Sequence, residues 1–419
     1  MQSNRQQGID MSKTATNPYF STRAFSLTRQ QAIGQIDIEL TERCNNDCLH
    51  CCINQPADST TAKSREMDTV FVKSILDQAA KLGALSVRFT GGEPLLRDDF
   101  RELYLHSRRL GMKVLLFTNA RLLDTGLADL FARIPPLEQI QITLYGITKE
   151  SCSAVTRDPL AYKETMRGIE LLRERNIPFI VKGALMPQNA ADKPAIEAFA
   201  LDIPWQDGRK PSFASAFDLR SRRDFEKRNA LIRHIRATPE EVVRLLREQA
   251  DEKYFLEMQQ FCAKFMGASG EKLFSCGAGK EGGCVDAYGM LQPCLLLRDP
   301  TLVYDLKKGS LLDGVRDFFP MLQELKVANA EYLKRCARCF INGLCEQCPA
   351  RSWSENGTLD TPVEYLCDIA HATARFLGLI GEKENAWEVS NPSARIAKLQ
   401  QTTYAEWAAE QGVANQNIK

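Results

Sequence analysis

The 419-residue chain is poor in several things. No apolar run approaches the roughly 20 residues that span a bilayer, which excludes a membrane-crossing helix. The first 30 residues are polar and lack the apolar core of a secretory signal, so the sequence predicts a cytoplasmic protein. Net charge is scarce too: 54 Lys and Arg face 53 Asp and Glu, leaving +1. A balance so near zero supplies no bulk attraction to nucleic acid or to an anionic membrane. Only four histidines occur, and His106, His234 and His371 stand at no metal-ligand spacing.

Cysteine, by contrast, is abundant. Fourteen cysteines without a secretory signal argue for metal rather than disulfides, because cytosolic thiols are kept reduced. With 44% hydrophobic and 26% charged residues the chain can build an ample core over two domains, or over one large domain with an extension. Residues 1–13 read as a disordered extension, with Met11 as an alternative start.

In residues 40–56, LTERCNNDCLHCCINQP, Cys44, Cys48 and Cys51 are separated by three residues and then two. Three thiolates so close together hold a four-iron cluster incompletely, because such a cluster normally takes four Cys ligands. One iron stays open to an outside ligand. Ile36, Ile38 and Leu40 alternate with Asp37 and Glu39, which predicts a strand running straight into this loop. Asp68 then caps a helix to about residue 82, with Val70, Ile75 and Ala79 on its apolar face. An alternating strand over 85–90 ends in Gly91-Gly92-Glu93-Pro94. Two glycines at a strand end let the backbone pass close to a ligand, since no Cβ intervenes, and Glu93 adds an acceptor.

The alternation continues with helices over 98–110, 123–133, 160–175 and 193–201. Strands over 114–118, 139–144, 179–185 and 212–217 interleave with them. Six strands separated by helices predict a parallel sheet, whose functional groups gather at the strands' C-terminal ends. Asn119, Thr143 and Lys182 are candidates by that rule. Residues 205–265 hold a basic stretch that either greets an anionic substrate or forms a solvated face. Thr238-Pro239-Glu240-Glu241 follows as a capping box that opens one long bridging helix.

The cysteine spacing, with GGEP about 40 residues on, resembles the radical S-adenosylmethionine (SAM) superfamily. Over about residues 35–379 the chain is similar to the branch with a C-terminal SPASM domain. The resemblance implies an α/β fold: a partial (β/α)6 radical SAM barrel over 35–217, after an extension over 1–34. A helical bridge over 218–270, a SPASM auxiliary-cluster domain over 271–380 and a peripheral tail over 381–419 complete the division. His50 departs from the pattern, since the family usually has an aromatic residue before the third cysteine; its ring would still cover the cluster.

The resemblance further implies that a cluster on Cys44, Cys48 and Cys51 binds SAM and cleaves it reductively to a 5′-deoxyadenosyl radical. Gly91, Gly92 and Glu93 would receive the SAM amino group, and Thr143 its carboxylate. Arg157 or Arg167 would supply the positive partner, and Asn119 would contact the cofactor. The eight cysteines from Cys276 to Cys367 resemble the SPASM arrangement, with residues 286–289 as a hairpin turn. By position Cys276, Cys294 and Cys348, with Cys284 as fourth, would ligate one auxiliary cluster, and Cys336, Cys339, Cys345 and Cys367 the other. Only two residues separate Cys345 and Cys348, where the family commonly has three. Cys52, Cys152 and Cys262 are left as small buried hydrophobes.

The expected cofactors are therefore three 4Fe-4S clusters and SAM, with an external donor such as flavodoxin or ferredoxin. The expected substrate is a ribosomally made peptide undergoing cross-linking, oxidation or epimerisation. The 35 or so residues before the first strand are too few for a leader-peptide recognition domain, so a separate protein would have to supply one. Two alternatives remain open: conversion of a small metabolite such as a sugar or nucleoside, and a non-catalytic iron-sulfur electron carrier or zinc-binding protein.

Overall fold

Alternation puts Ile36, Ile38 and Leu40 on one face of strand β1 (Gln35–Thr41), each wholly buried, and Asp37 and Glu39 on the other. The computed structural model describes residues 33–280 and 282–413, so the reading of residues 1–13 lies outside the described residues. From β1 the chain runs through α1 (Thr69–Lys81), β2 (Ser86–Gly91), α2 (Phe100–Arg109), β3 (Lys113–Thr118) and α3 (Thr125–Arg133). It continues with β4 (Ile140–Leu144), α4 (Lys149–Thr156), α5 (Ala161–Arg173), β5 (Phe179–Ala184), α6 (Lys193–Leu201) and β6 (Phe213–Ala214). The six strands pair in parallel in chain order. Helix α4 was not expected, and β6 is shorter than its anticipated span.

Local chemistry explains the element ends. Asp68 caps α1 by accepting from the Phe71 amide at 2.7 Å. The helix buries Val72, Ile75, Leu76, Ala79 and Ala80, whereas Val70, expected on that face, is 77% exposed. Val70 lies two residues before Val72, where the buried stripe begins, and so points off it.

The sheet does not end with β6. Strand β7 (Gly282–Val285) pairs in parallel with β1, then turns through a hairpin into antiparallel β8 (Met290–Gln292) and β9 (Tyr304–Asp305). The order is β9-β8-β7-β1-β2-β3-β4-β5-β6. In the hairpin Asp286 accepts from the Tyr288 and Met290 amides at 3.0 and 2.9 Å, and Gly289 takes φ 91°. The C-terminal cysteine region is therefore joined by backbone hydrogen bonds to the strand that delivers Cys44.

Between the two lie α7 (Glu226–Ile235), α8 (Pro239–Gln249) and α9 (Glu252–Phe265). The Thr238–Glu241 capping box forms as expected, but the single long helix is two. Asp251 accepts from the Tyr254 amide at 2.7 Å and starts a new helix. Helices α11 (Pro392–Gln401) and α12 (Tyr404–Gln411) pack on α9, and α10 (Glu364–Phe376) on α8, around a second core. Trp407 is only 1% exposed, stacks on Phe255 at 4.7 Å and donates Nε1 to the Phe376 carbonyl at 3.0 Å. The tail read as peripheral thus supplies a central side chain of that core. No helix among the described residues is long and apolar enough to cross a membrane.

Candidate functional site

The cysteine loop leaves β1 at its C-terminal end and docks on the end of β2. The Gly92 amide donates to the Thr41 carbonyl at 2.7 Å and the Glu93 amide to the Arg43 carbonyl at 2.9 Å. A Cβ on Gly91 would stand 2.1 Å from the Thr41 carbonyl oxygen, and one on Gly92 2.2 Å from that of Arg43. The close neighbour that demands glycine on this side is therefore the cysteine loop itself. Gly91 also has φ 126°, which side chains rarely adopt.

Cys44, Cys48 and Cys51 line one cleft of about 200 Å³ together with Gly91, Gly92, Phe117, Asn119, Thr143 and Tyr145. Burial pushes the Cys48 thiol well up, and the neighbouring Cys44 and Cys51 thiols push it further. The Asn46 amide donates to Cys44 Sγ at 3.4 Å. The expected residues Gly91, Gly92, Asn119 and Thr143 thus meet the three thiols in one place.

Glu93 lies beneath this cleft. Its carboxylate is wholly buried and accepts from the Leu95 amide, the Thr118 hydroxyl and the Asn119 amide at 3.1, 2.8 and 2.8 Å. Burial nevertheless raises its pKa to about 7. Arg157 and Arg167 are not among the residues that line the cleft. Arg157 is half-exposed and pairs with Asp47 at 3.1 Å, while Arg167 donates to the Arg121 carbonyl at 2.7 Å.

Arg121 escaped the sequence reading. Its buried guanidinium reaches Asn45, Asn46, Asp158 and Glu164, tying the cysteine loop to α5 and the segment before it. Its position two residues beyond Asn119, at a strand's C-terminal end, was the available signal. His50 packs on Phe217 at 4.7 Å and Tyr145 at 5.6 Å, and burial lowers its pKa to about 4. It stays neutral at ordinary pH.

The basic stretch of residues 209–228 is largely spent on internal ion pairs. Arg220 pairs with Asp224, Arg222 with Glu42 and Asp286, and Arg228 with Asp47. It clamps the cysteine loop and the β7–β8 hairpin together.

In the C-terminal region Cys336, Cys339, Cys345 and Cys367 surround a single cavity, the four that the resemblance assigns to one cluster. His371, which was assigned nothing, lines it too, with Nδ1 3.5 Å from Cys367 Sγ. One helical turn separates the two residues, which was the missed signal. Burial raises the thiols of Cys294 and Cys348; Cys276 adds to the first and Cys294 to the second. Cys284 is wholly buried on β7 among Glu39, Arg298, Asp37 and Asp286. Among the described residues no three His, Cys, Asp or Glu groups converge as ligands of a single metal ion.

Residues 38–199 match the model of the radical SAM superfamily. An AdoMet-dependent heme synthase of Methanosarcina barkeri is 29% identical over 151 residues, 36% of this chain and 42% of that protein. A PqqA peptide cyclase of Xanthomonas oryzae pv. oryzae is 32% identical over 171 residues, 40% of this chain and 44% of that protein. The chain therefore spans less than half the length of these curated relatives.

Among solved structures, Streptococcus suis SuiB bound to S-adenosylmethionine aligns over 80% of this chain and 75% of its own, at TM-score 0.54 and 16% identity. Native anSMEcpe with bound AdoMet aligns over 81% and 96%, at TM-score 0.56 and 16% identity. The shared fold extends beyond the sheet's first six strands into the C-terminal cysteine region. That fold is a partial (β/α)6 barrel extended by the C-terminal cysteine region, and its residues 38–199 are the ones that match the radical SAM superfamily model.

Proposed function

We propose that the protein is an enzyme that reductively cleaves SAM and abstracts hydrogen from a ribosomally made peptide. The observation that carries this is the meeting of Cys44, Cys48 and Cys51 with Gly91, Gly92, Asn119 and Thr143 in one cleft. Three thiols there suit a 4Fe-4S cluster with one iron left for SAM. When bound, that pair supplies an electron and a 5′-deoxyadenosyl radical. The chain's part is to hold the reactants. The glycine turn brings backbone against the ligand, Thr143 offers a hydroxyl for its carboxylate, and Glu93 fixes Asn119 from below.

Four thiols around one cavity, at Cys336, Cys339, Cys345 and Cys367, suit a fully ligated auxiliary cluster. Cys276, Cys294 and Cys348, with Cys284 as fourth, would hold another. Such clusters offer the electron released after hydrogen abstraction a way out of the cleft. An external donor such as flavodoxin or ferredoxin, and a separate leader-peptide recognition protein, complete the reading. Peptide as substrate is supported by the PqqA peptide cyclase relatives and by the fold likeness to SuiB bound to its precursor peptide SuiA.

A second reading, conversion of a small metabolite, is favoured by the AdoMet-dependent heme synthase relative. Anaerobically reconstituted protein should carry about 12 irons and form 5′-deoxyadenosine on reduction with SAM. A short peptide encoded beside the gene should then change mass. If a small metabolite changes instead, the peptide reading is wrong.

A further inference from the structure

Inside the barrel two cationic side chains keep donors free: Lys182 at Nζ and Arg88 at Nε. The side chain of Lys182, on β5, has no hydrogen bond or ion pair among the described residues; its Nζ lies 5.6 Å from the centroid of the Phe117 ring. The Arg88 guanidinium sits 4.9 Å from the same centroid. Its Nη1 donates to Asp37 at 2.8 Å, while its buried Nε has no partner. Gln141, opposite Phe117 in the β3–β4 ladder, likewise buries an unpartnered Oε1.

This group adjoins the cleft. Phe117 lines it beside Cys44, Cys51 and Thr143, and Thr143 stands opposite Lys182 in the β4–β5 ladder. Burial and the neighbouring Arg88 lower the pKa of Lys182 from its ordinary value, while burial raises that of Asp37. Deeper in the barrel Glu39 closes on Arg298, and Asp286 and Glu42 on Arg222. Lys182, Arg88 and Asp37 are left with one net positive charge.

We propose that Lys182 and Arg88 form a binding site for a carboxylate, which holds an acidic side chain or terminus of the substrate beside the three cysteines. One uncompensated positive charge favours an anionic group over a neutral one. An Arg edge with a free Nε beside an ammonium suits the two oxygens of a carboxylate. Gln141 Oε1 can accept an N–H from the same ligand. The inference rests on the cleft being the reaction site, and it narrows the substrate to one that carries an acid.

The test needs no turnover. Reconstituted enzyme with SAM is treated with pyridoxal 5′-phosphate, an anionic aldehyde that forms an imine with lysine. Borohydride fixes the adduct, and peptide mass spectrometry locates it. Lys182 should be labelled, and glutarate should suppress that label by roughly tenfold while neutral glutaramide does not. By calorimetry glutarate should bind Lys182→Met roughly tenfold more weakly and Lys182→Arg about as well as the parent.

An unlabelled Lys182, equal protection by glutaramide, or unchanged binding to Lys182→Met overturns the site. Iron content and visible absorption check that each variant is loaded. Absence of 5′-deoxyadenosine with protection intact would instead refute the radical reading and leave the carboxylate site standing.

Discussion

Glu93 accepts the backbone N–H of Asn119 at 2.8 Å, so the acid of the glycine turn fixes the loop after the next strand. The same carboxylate accepts from Leu95 and Thr118, and burial still outweighs these bonds to raise its pKa to about 7. A carboxyl whose folded pKa exceeds its unfolded value binds more protons when folded. Its contribution is complete below about pH 4.5 and is lost as pH rises through 7. The stability of cluster-free protein should therefore fall across that range by up to ~1.4 kcal/mol per pH unit. Glu93→Gln should abolish that slope and, by turning an amide N–H₂ toward a donor, cost about 1–3 kcal/mol. Urea unfolding across the range decides; an equal slope in the variant contradicts the assignment.

Gly92 has no positive φ to explain it, only the Arg43 carbonyl oxygen 2.2 Å from where a Cβ would stand. Gly92→Ala should push the cysteine loop off β2. Overpacking of this kind costs about 1–3 kcal/mol, and the shifted thiols should lower both iron retention and 5′-deoxyadenosine formation. A variant with normal iron and normal cleavage would mean that the loop docks elsewhere.

These two residues also mark how far the sequence could be read. GGEP was recognisable as a site element because it follows the three cysteines by about 40 residues; alone, two glycines and an acid at a strand end read as an ordinary turn. That the glycines make room for residues 41–43 depends on how β1 and β2 come together, which no local pattern states. The first six strands were legible from alternation. The pairing of β7 with β1 was not, because nearly 250 residues lie between them and four residues of strand carry little pattern. Arg121 was missed for a related reason, because Asp158 and Glu164 reach it only in the tertiary fold, whereas His371 stands one helical turn from Cys367 and was legible.

Cluster cysteines should separate by iron count. Replacing Cys44, Cys48 and Cys51 with Ala should take iron from about 12 to about 8 per chain and abolish SAM cleavage, sparing the auxiliary signals. Cys336→Ser should disturb only the cavity it shares with Cys339, Cys345 and Cys367. Removing iron with a chelator should lower the melting temperature, because ligand binding to the folded state is folding free energy. Full SAM cleavage by the triple variant would show that another site does the chemistry.

The last test concerns the tail. Trp407 stacks on Phe255 at 4.7 Å, meets Phe376 edge-on at 5.1 Å and donates Nε1 to the Phe376 carbonyl. Trp407→Ala should open a cavity among α9, α10 and α12 and cost about 3–5 kcal/mol. Trp407→Phe keeps most of the packing and leaves the Phe376 carbonyl without its N–H donor, so its cost should be near 1 kcal/mol. The same core holds Cys339 and Cys345 against α10, the helix that carries Cys367, so Trp407→Ala should also weaken iron binding at that cavity. Thermal unfolding and iron content, measured on both variants, test the ordering. Were Trp407→Ala to cost under about 0.5 kcal/mol, as a surface substitution does, the tail would be peripheral after all.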